Sequence, residues 1–257
     1  MAKSEVLHDR GMVVVKLRSP ATTVKEELAS MEARRALMGE FLGSLLFVIF
    51  SAGTVAITSG VLGERLDSAR LLVIALANGL AFMMLVAAML PISGGHLNPA
   101  VTFAAMLARR MSFTRGVLYM IVQCVGAAAA ALFLTLVMPI GTHGNLGANG
   151  LGPGVSVGGG LLTEIIVSFV LVSTMLATVL GPTRPAALGL TAVGLACVVA
   201  HLFAGPLTGA SMNPARSFGP AFVVGAWKSQ WIFWMGPLMG AAIAACVHEL
   251  FAGHDKR

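Results

Sequence analysis

Two stretches decide the reading of this chain: SGGHLNPAVTFAAML, residues 93–107, and TGASMNPARSFGPAF, residues 208–222. Both carry Asn-Pro-Ala, both place Ser-Gly or Thr-Gly a few residues earlier, and both follow a long apolar run. Proline fixes φ near −65° and has no N–H to lose, so it suits the first turn of a helix. Asparagine before it is a strong N-cap. Asn98-Pro99-Ala100 and Asn213-Pro214-Ala215 therefore each predict a helix start. The apolar pieces they open, 98–108 and 213–224, are about ten residues long and, at about 1.5 Å per residue, reach only halfway across a bilayer. Such re-entrant half-helices are tolerated only where their backbone is buried in protein or lines a wet cavity.

The surrounding composition demands a membrane. The chain is 57% hydrophobic and 11% charged, against about 25% charged for an ordinary soluble domain. Apolar blocks at 34–57, 70–91, 114–138, 159–180, 186–206 and 229–251 are each long enough to span, which takes about 17–25 residues. The expected fold is an all-α membrane protein: six transmembrane helices plus two re-entrant half-helices in an inverted repeat. The net charge is +6, and the charges lie in the polar segment 1–32 and in short loops, which fits membrane topology and not a nucleic-acid-binding stripe. No apolar core with a small-residue cleavage site marks residues 1–32 as a signal peptide. Cys124, Cys197 and Cys246 sit in apolar runs without His or acidic partners at ligand spacing, so they read as free thiols, with no metal and no cofactor expected.

Each half repeats the same order. ALMGEFLGSLLFVIFSAGT (36–54) parallels LLTEIIVSFVLVSTMLAT (161–178), with Glu40 and Glu164 near the start of their spans. A second span, a Gly-containing loop, Asn-Pro-Ala and a third span follow in each. Three spans per repeat is odd, so the repeats 33–138 and 159–252 insert with opposite topology. A connector, 139–158, joins them outside. Thirteen of seventeen Lys and Arg then fall on one side, which the positive-inside rule makes cytoplasmic, with the tails 1–32 and 253–257. Inverted symmetry aims both half-helix N-termini at the midplane, where their positive dipole ends oppose cations and protons.

Two Asn-Pro-Ala boxes with these flanks resemble the major intrinsic protein family, the aquaporins and aquaglyceroporins, over residues 34–252. The wording SGGHLNPAVTF and AGPLTGASMNPARSFGPAFVVGAW is most similar to the plant tonoplast branch. The resemblance implies a homotetramer of hourglass barrels, each protomer with its own pore, and carries four positions over as its aromatic/arginine filter. These are Arg216 after the second box, His201 twelve before Asn213, Ala210 three before it, and Asn78 twenty before Asn98. Asn78 departs from the Phe or His usual there, so the filter is expected to be somewhat wide. Ser217, Ala221 and the Phe233-Trp234 pair resemble water channels more than glycerol facilitators. The absence of Cys at 210 implies weak mercurial block near the filter.

The resemblance further implies that Glu40 and Glu164 accept backbone N–H groups of the re-entrant loops, and that His96 lines the cytoplasmic pore. His143 is placed near the outer mouth, and Tyr119 and Gln123 read as packing residues. The expected function is a passive water channel in the lipid bilayer that excludes protons and ions, with ammonia and hydrogen peroxide as candidate further solutes. A broader glycerol or urea facilitator and a secondary transporter are the alternatives. The half-helices bring amides and one arginine and no coupling-ion site, nucleophile or metal cluster, which weighs against a transporter or an enzyme. Vacuolar and plasma membranes are not distinguished.

Overall fold

The computed structural model describes residues 8–9, 12–13, 24–63, 65–139, 144–181 and 186–252. A two-residue antiparallel pairing, β1 (His8–Asp9) with β2 (Met12–Val13), precedes the helices. A short helix, α1 (Val24–Ala29), leads into α2 (Met31–Leu62), α3 (Ser68–Ser93), the short α4 (Pro99–Leu107) and α5 (Phe113–Val137). The second half repeats this as α6 (Val157–Thr178), α7 (Ala186–Thr208), the short α8 (Pro214–Val224) and α9 (Ile232–Ala252). Six of these helices are long and apolar enough to cross a membrane. The expected spans agree within a few residues, except that α2 extends beyond 34–57 at both ends. The polar segment 1–32 also contains α1, where Glu27 pairs with Arg115 at 3.0 Å, at the start of α5.

The ends follow local chemistry. Ser30, Asp67, Ser112 and Ser156 cap α2, α3, α5 and α6, each accepting an N–H from the first turn, which satisfies a donor that a helix leaves orphaned. Pro91 and Pro206 stand two residues before the ends of α3 and α7, and each removes a donor where the chain turns back toward the midplane.

Packing follows the inverted repeat. Helix α2 lies along α5 and α3, as α6 lies along α9 and α7, and α3 meets α7 across the centre. Each half-helix packs on the third span of the other half, α4 against α9 and α8 against α5. Glycine permits the closest approaches. A Cβ on Gly126 would stand 2.5 Å from Phe41 O, and one on its repeat equivalent Gly240 2.4 Å from Ile165 O. Small residues of this kind let helices touch in lipid, where no hydrophobic drive holds them together. The outward faces carry exposed Phe50, Leu80, Phe133, Val199 and Phe203, as a lipid-facing surface requires.

Candidate functional site

The site is assembled where the two re-entrant loops meet. In the first, Asn98 Oδ1 accepts from Ala100 N at 2.8 Å, and in the second Asn213 Oδ1 accepts from Ala215 N at 3.0 Å and Arg216 N at 3.2 Å. Each asparagine amide also reaches across the midplane. Asn98 Nδ2 donates to Met212 O at 2.8 Å, and Asn213 Nδ2 donates to Leu97 O at 2.9 Å. An amide has two N–H donors, so this crossing uses one and leaves one for the cavity. The structure thus spends half of the amide donors on tying the repeats together.

The loops are bent in a way that the sequence does not advertise. Leu97, Ala210 and Met212 have φ of 51°, 51° and 53°, a left-handed backbone in non-glycine residues. That conformation costs about 1–2 kcal/mol per residue, and Glu40 and Glu164 hold it. Glu40 accepts from Ser93 Oγ (2.6 Å), His96 N (3.0 Å), Leu97 N (2.7 Å) and Gln123 Nε2 (2.7 Å). Glu164 accepts from Thr208 Oγ1 (2.6 Å), Ser211 N (2.9 Å) and Met212 N (2.9 Å). Hydrogen bonds to a charged group contribute about 1.5–3 kcal/mol each, so three outweigh the strain of Ala210 and Met212. The same hydroxyls continue the network: Ser93 Oγ accepts from Gly95 N, and Thr208 Oγ1 from Ala210 N.

Arg216 lies one residue past the second box, 1% exposed. Its Nε donates to Ser51 Oγ at 2.9 Å, and Nη1 donates to Gly147 O and Asn149 Oδ1, both at 2.6 Å. Asn149 also accepts from Ser217 Oγ at 2.8 Å. The guanidinium is thus clamped, and Arg216 lines a chamber of about 130 Å³ together with Arg70, Asn149 and Ile74. Asn78 is fully buried, and both of its polar atoms are engaged: Oδ1 accepts from Ser51 Oγ at 2.5 Å and Nδ2 donates to Ile74 O at 2.8 Å. It reaches Arg216 through Ser51 and does not line either chamber.

His201 is buried as well, 2% exposed. Its Nδ1 is 2.9 Å from Cys197 O; a carbonyl only accepts, so Nδ1 carries the proton and Nε2 is a bare acceptor in the neutral ring. That Nε2 has no protein partner. His201 lines a second chamber, of about 10 Å³, with Asn98, Asn213, Cys197, Phe47 and Phe82, which is room for about one water. Arg216 thus lines one chamber, and His201, Asn98 and Asn213 line the other.

Several participants went unread in the sequence. Ser51, Gly147 and Asn149 fix the arginine from α2 and from the connector, which had looked like a plain linker. Gln123 is part of the polar network and not a packing residue: it bonds Glu40 and also donates to Thr102 Oγ1 at 3.0 Å. Tyr119 anchors through its hydroxyl to Ser93 O at 2.9 Å. His96 Nδ1 lies 3.1 Å from Thr102 Oγ1. His143 falls outside the described residues.

Against this geometry, residues 27–248 match the family described as major intrinsic protein. The chain belongs to the major intrinsic protein family. Among curated members it is 40% identical over 216 residues to Aquaporin-4 of Bos taurus, covering 84% of this chain and 66% of the relative, so it spans just under two thirds of that protein's length. It is 38% identical over 238 residues to Probable aquaporin TIP3-2 of Arabidopsis thaliana, covering 87% and 86%. It is 40% identical over 230 residues to the lens fiber major intrinsic protein of Gallus gallus, covering 87% and 84%. In fold, this major intrinsic protein is similar to the X-ray structure of the aquaglyceroporin from Plasmodium falciparum, with a TM-score of 0.72 at 20% identity over 86% of this chain and 98% of that one.

Proposed function

We propose that the chain is a passive water channel in a lipid bilayer, admitting small neutral solutes such as ammonia or hydrogen peroxide and excluding protons and ions. The observation that carries this is the midplane crossing, in which Asn98 and Asn213 hold two half-helix starts face to face. Two positive dipole ends and the amide donors meet there in a chamber that takes about one water. A water crossing it turns its oxygen to the donors, which breaks a continuous proton wire, and the dipoles repel a cation at little cost to a neutral molecule.

In this reading Arg216, His201 and Ala210 form the narrow filter, and Asn78 sets its width by holding Ser51 against Arg216. Glu40 and Glu164 support the loops. The acceptor His201 Nε2 and the Arg216 donors replace the hydration of a neutral polar solute; a permanent positive charge adds a second barrier to cations. The exposed apolar flanks fit lipid and, as in the family resemblance, a homotetramer, with both termini in the cytoplasm. The aquaglyceroporin likeness keeps one alternative in view, a broader glycerol and urea facilitator. Stopped-flow light scattering on proteoliposomes with water, glycerol, urea and ammonia separates the two: fast water with slow glycerol supports the channel proposed, and glycerol flux rivalling water supports the facilitator.

A further inference from the structure

Two arginines line the same chamber. Arg216 comes from the start of α8 and Arg70 from the first turn of α3, and both are buried. Both dock on one face of α2. Arg216 Nε donates to Ser51 Oγ at 2.9 Å, while Arg70 donates Nη2 to Val55 O at 3.1 Å and Nε to Thr58 Oγ1 at 3.3 Å. Ser51, Val55 and Thr58 follow one another at helical spacing. The first two anchor points therefore stand one turn apart, about 6 Å along the axis at about 1.5 Å per residue. The rest of the described lining is Asn149, small residues and four aliphatic side chains, with no acid among it. Asp67, just before α3, turns Oδ1 to the N–H of Arg70 as the helix cap. Two like charges held this close beside apolar walls repel, and an anion between them relieves that repulsion.

We propose that this chamber is a binding site for one small planar oxyanion, the class of nitrate, formate and bicarbonate, held between Arg70 and Arg216. A guanidinium is a rigid planar fork that pairs side by side with two oxygens of a planar anion, which a spherical halide does not match. The clamp on Arg216 uses Nε and Nη1, which leaves Nη2 as a donor for the anion. The volume of about 130 Å³ is several times what one water needs, so the chamber takes such an anion with part of its hydration shell. Leu66 lines the chamber and is 37% exposed, so the site meets the protein surface there. In the channel reading, an anion on Arg216 stands in the way of water, and flux becomes sensitive to the anion composition of the medium.

The flux part of this inference rests on the channel reading; the binding site does not. Thermal unfolding of the full chain in detergent is followed while sodium nitrate replaces sodium gluconate at constant ionic strength. The expected result is a melting temperature that rises with nitrate and saturates. Arg70→Gln, which removes one charge, is expected to lose the rise. Leu66→Glu, which brings a competing carboxylate to the chamber, is expected to lose it as well, and the neutral Leu66→Gln to keep it. No rise in the wild type, or an equal rise in Arg70→Gln or Leu66→Glu, overturns the site; a rise with chloride equal to that with nitrate overturns its assignment to planar oxyanions. If Arg70→Gln does not fold, the Leu66 pair decides. Osmotic water flux in proteoliposomes, read for each variant relative to its own rate in gluconate, is expected to fall severalfold in saturating nitrate for the wild type and to hold for Leu66→Glu. A wild-type flux indifferent to nitrate overturns the obstruction. If the wild type moves no water in gluconate the channel reading fails, and the melting measurement still decides the site.

Discussion

Glu164 bends a loop with one carboxylate, taking Thr208, Ser211 and Met212 as donors. Glu164→Gln keeps the shape but turns one oxygen into a donor facing the Met212 N–H, which leaves a buried donor unpaired at about 1–3 kcal/mol. Glu40→Gln does the same at Leu97. Both variants are expected to unfold at lower temperature in detergent, with slower water flux in the vesicles they do enter; an unchanged melting curve would show that the loops do not depend on the carboxylates. At Arg216, replacement by Val removes the clamp on Ser51, Gly147 and Asn149 and widens the outer constriction, so glycerol and urea fluxes are expected to rise severalfold while water persists. Asn98 and Asn213 were legible in the sequence because capping is local, whereas the role expected of Arg216, three residues past Asn213, came from the family resemblance. Ser51 was not, because it meets Arg216 from 165 positions away, and nothing in the composition of 139–158 pointed to Asn149 as a ligand of the arginine.

Helices pair across the repeat through small residues, and their fit is testable by adding one methyl group. Gly126→Ala and Gly240→Ala would set a Cβ about 2.5 Å from the carbonyl of a neighbouring helix, so the helices must separate, at a cost of about 1–3 kcal/mol each. Gly150→Ala meets nothing within 4 Å and is the matched control. Thermal unfolding in detergent is expected to fall for the first two and hold for the third. The six spans and two half-helices were readable from apolar runs and from the Pro-led starts, because length and capping are local properties. The left-handed turns at Leu97, Ala210 and Met212 were not, since these residue types rarely adopt that backbone unless tertiary bonds impose it.

Across the whole molecule, the two halves bring the starts of α4 and α8 face to face, with Arg216 lining one chamber and His201, Asn98 and Asn213 lining another. In the proposed channel reading this arrangement separates a neutral solute from an ion without any moving part, so flux should not saturate with an ion gradient and should need little activation. The most direct measurement is osmotic shrinkage of proteoliposomes by stopped-flow, run beside a pH-dye assay of proton leak in the same vesicles. The account predicts water flux at least tenfold above protein-free vesicles, independent of proton and sodium gradients, with proton leak at the protein-free level. Water flux no faster than in protein-free vesicles, or a solute flux that saturates and follows an ion gradient, would contradict it.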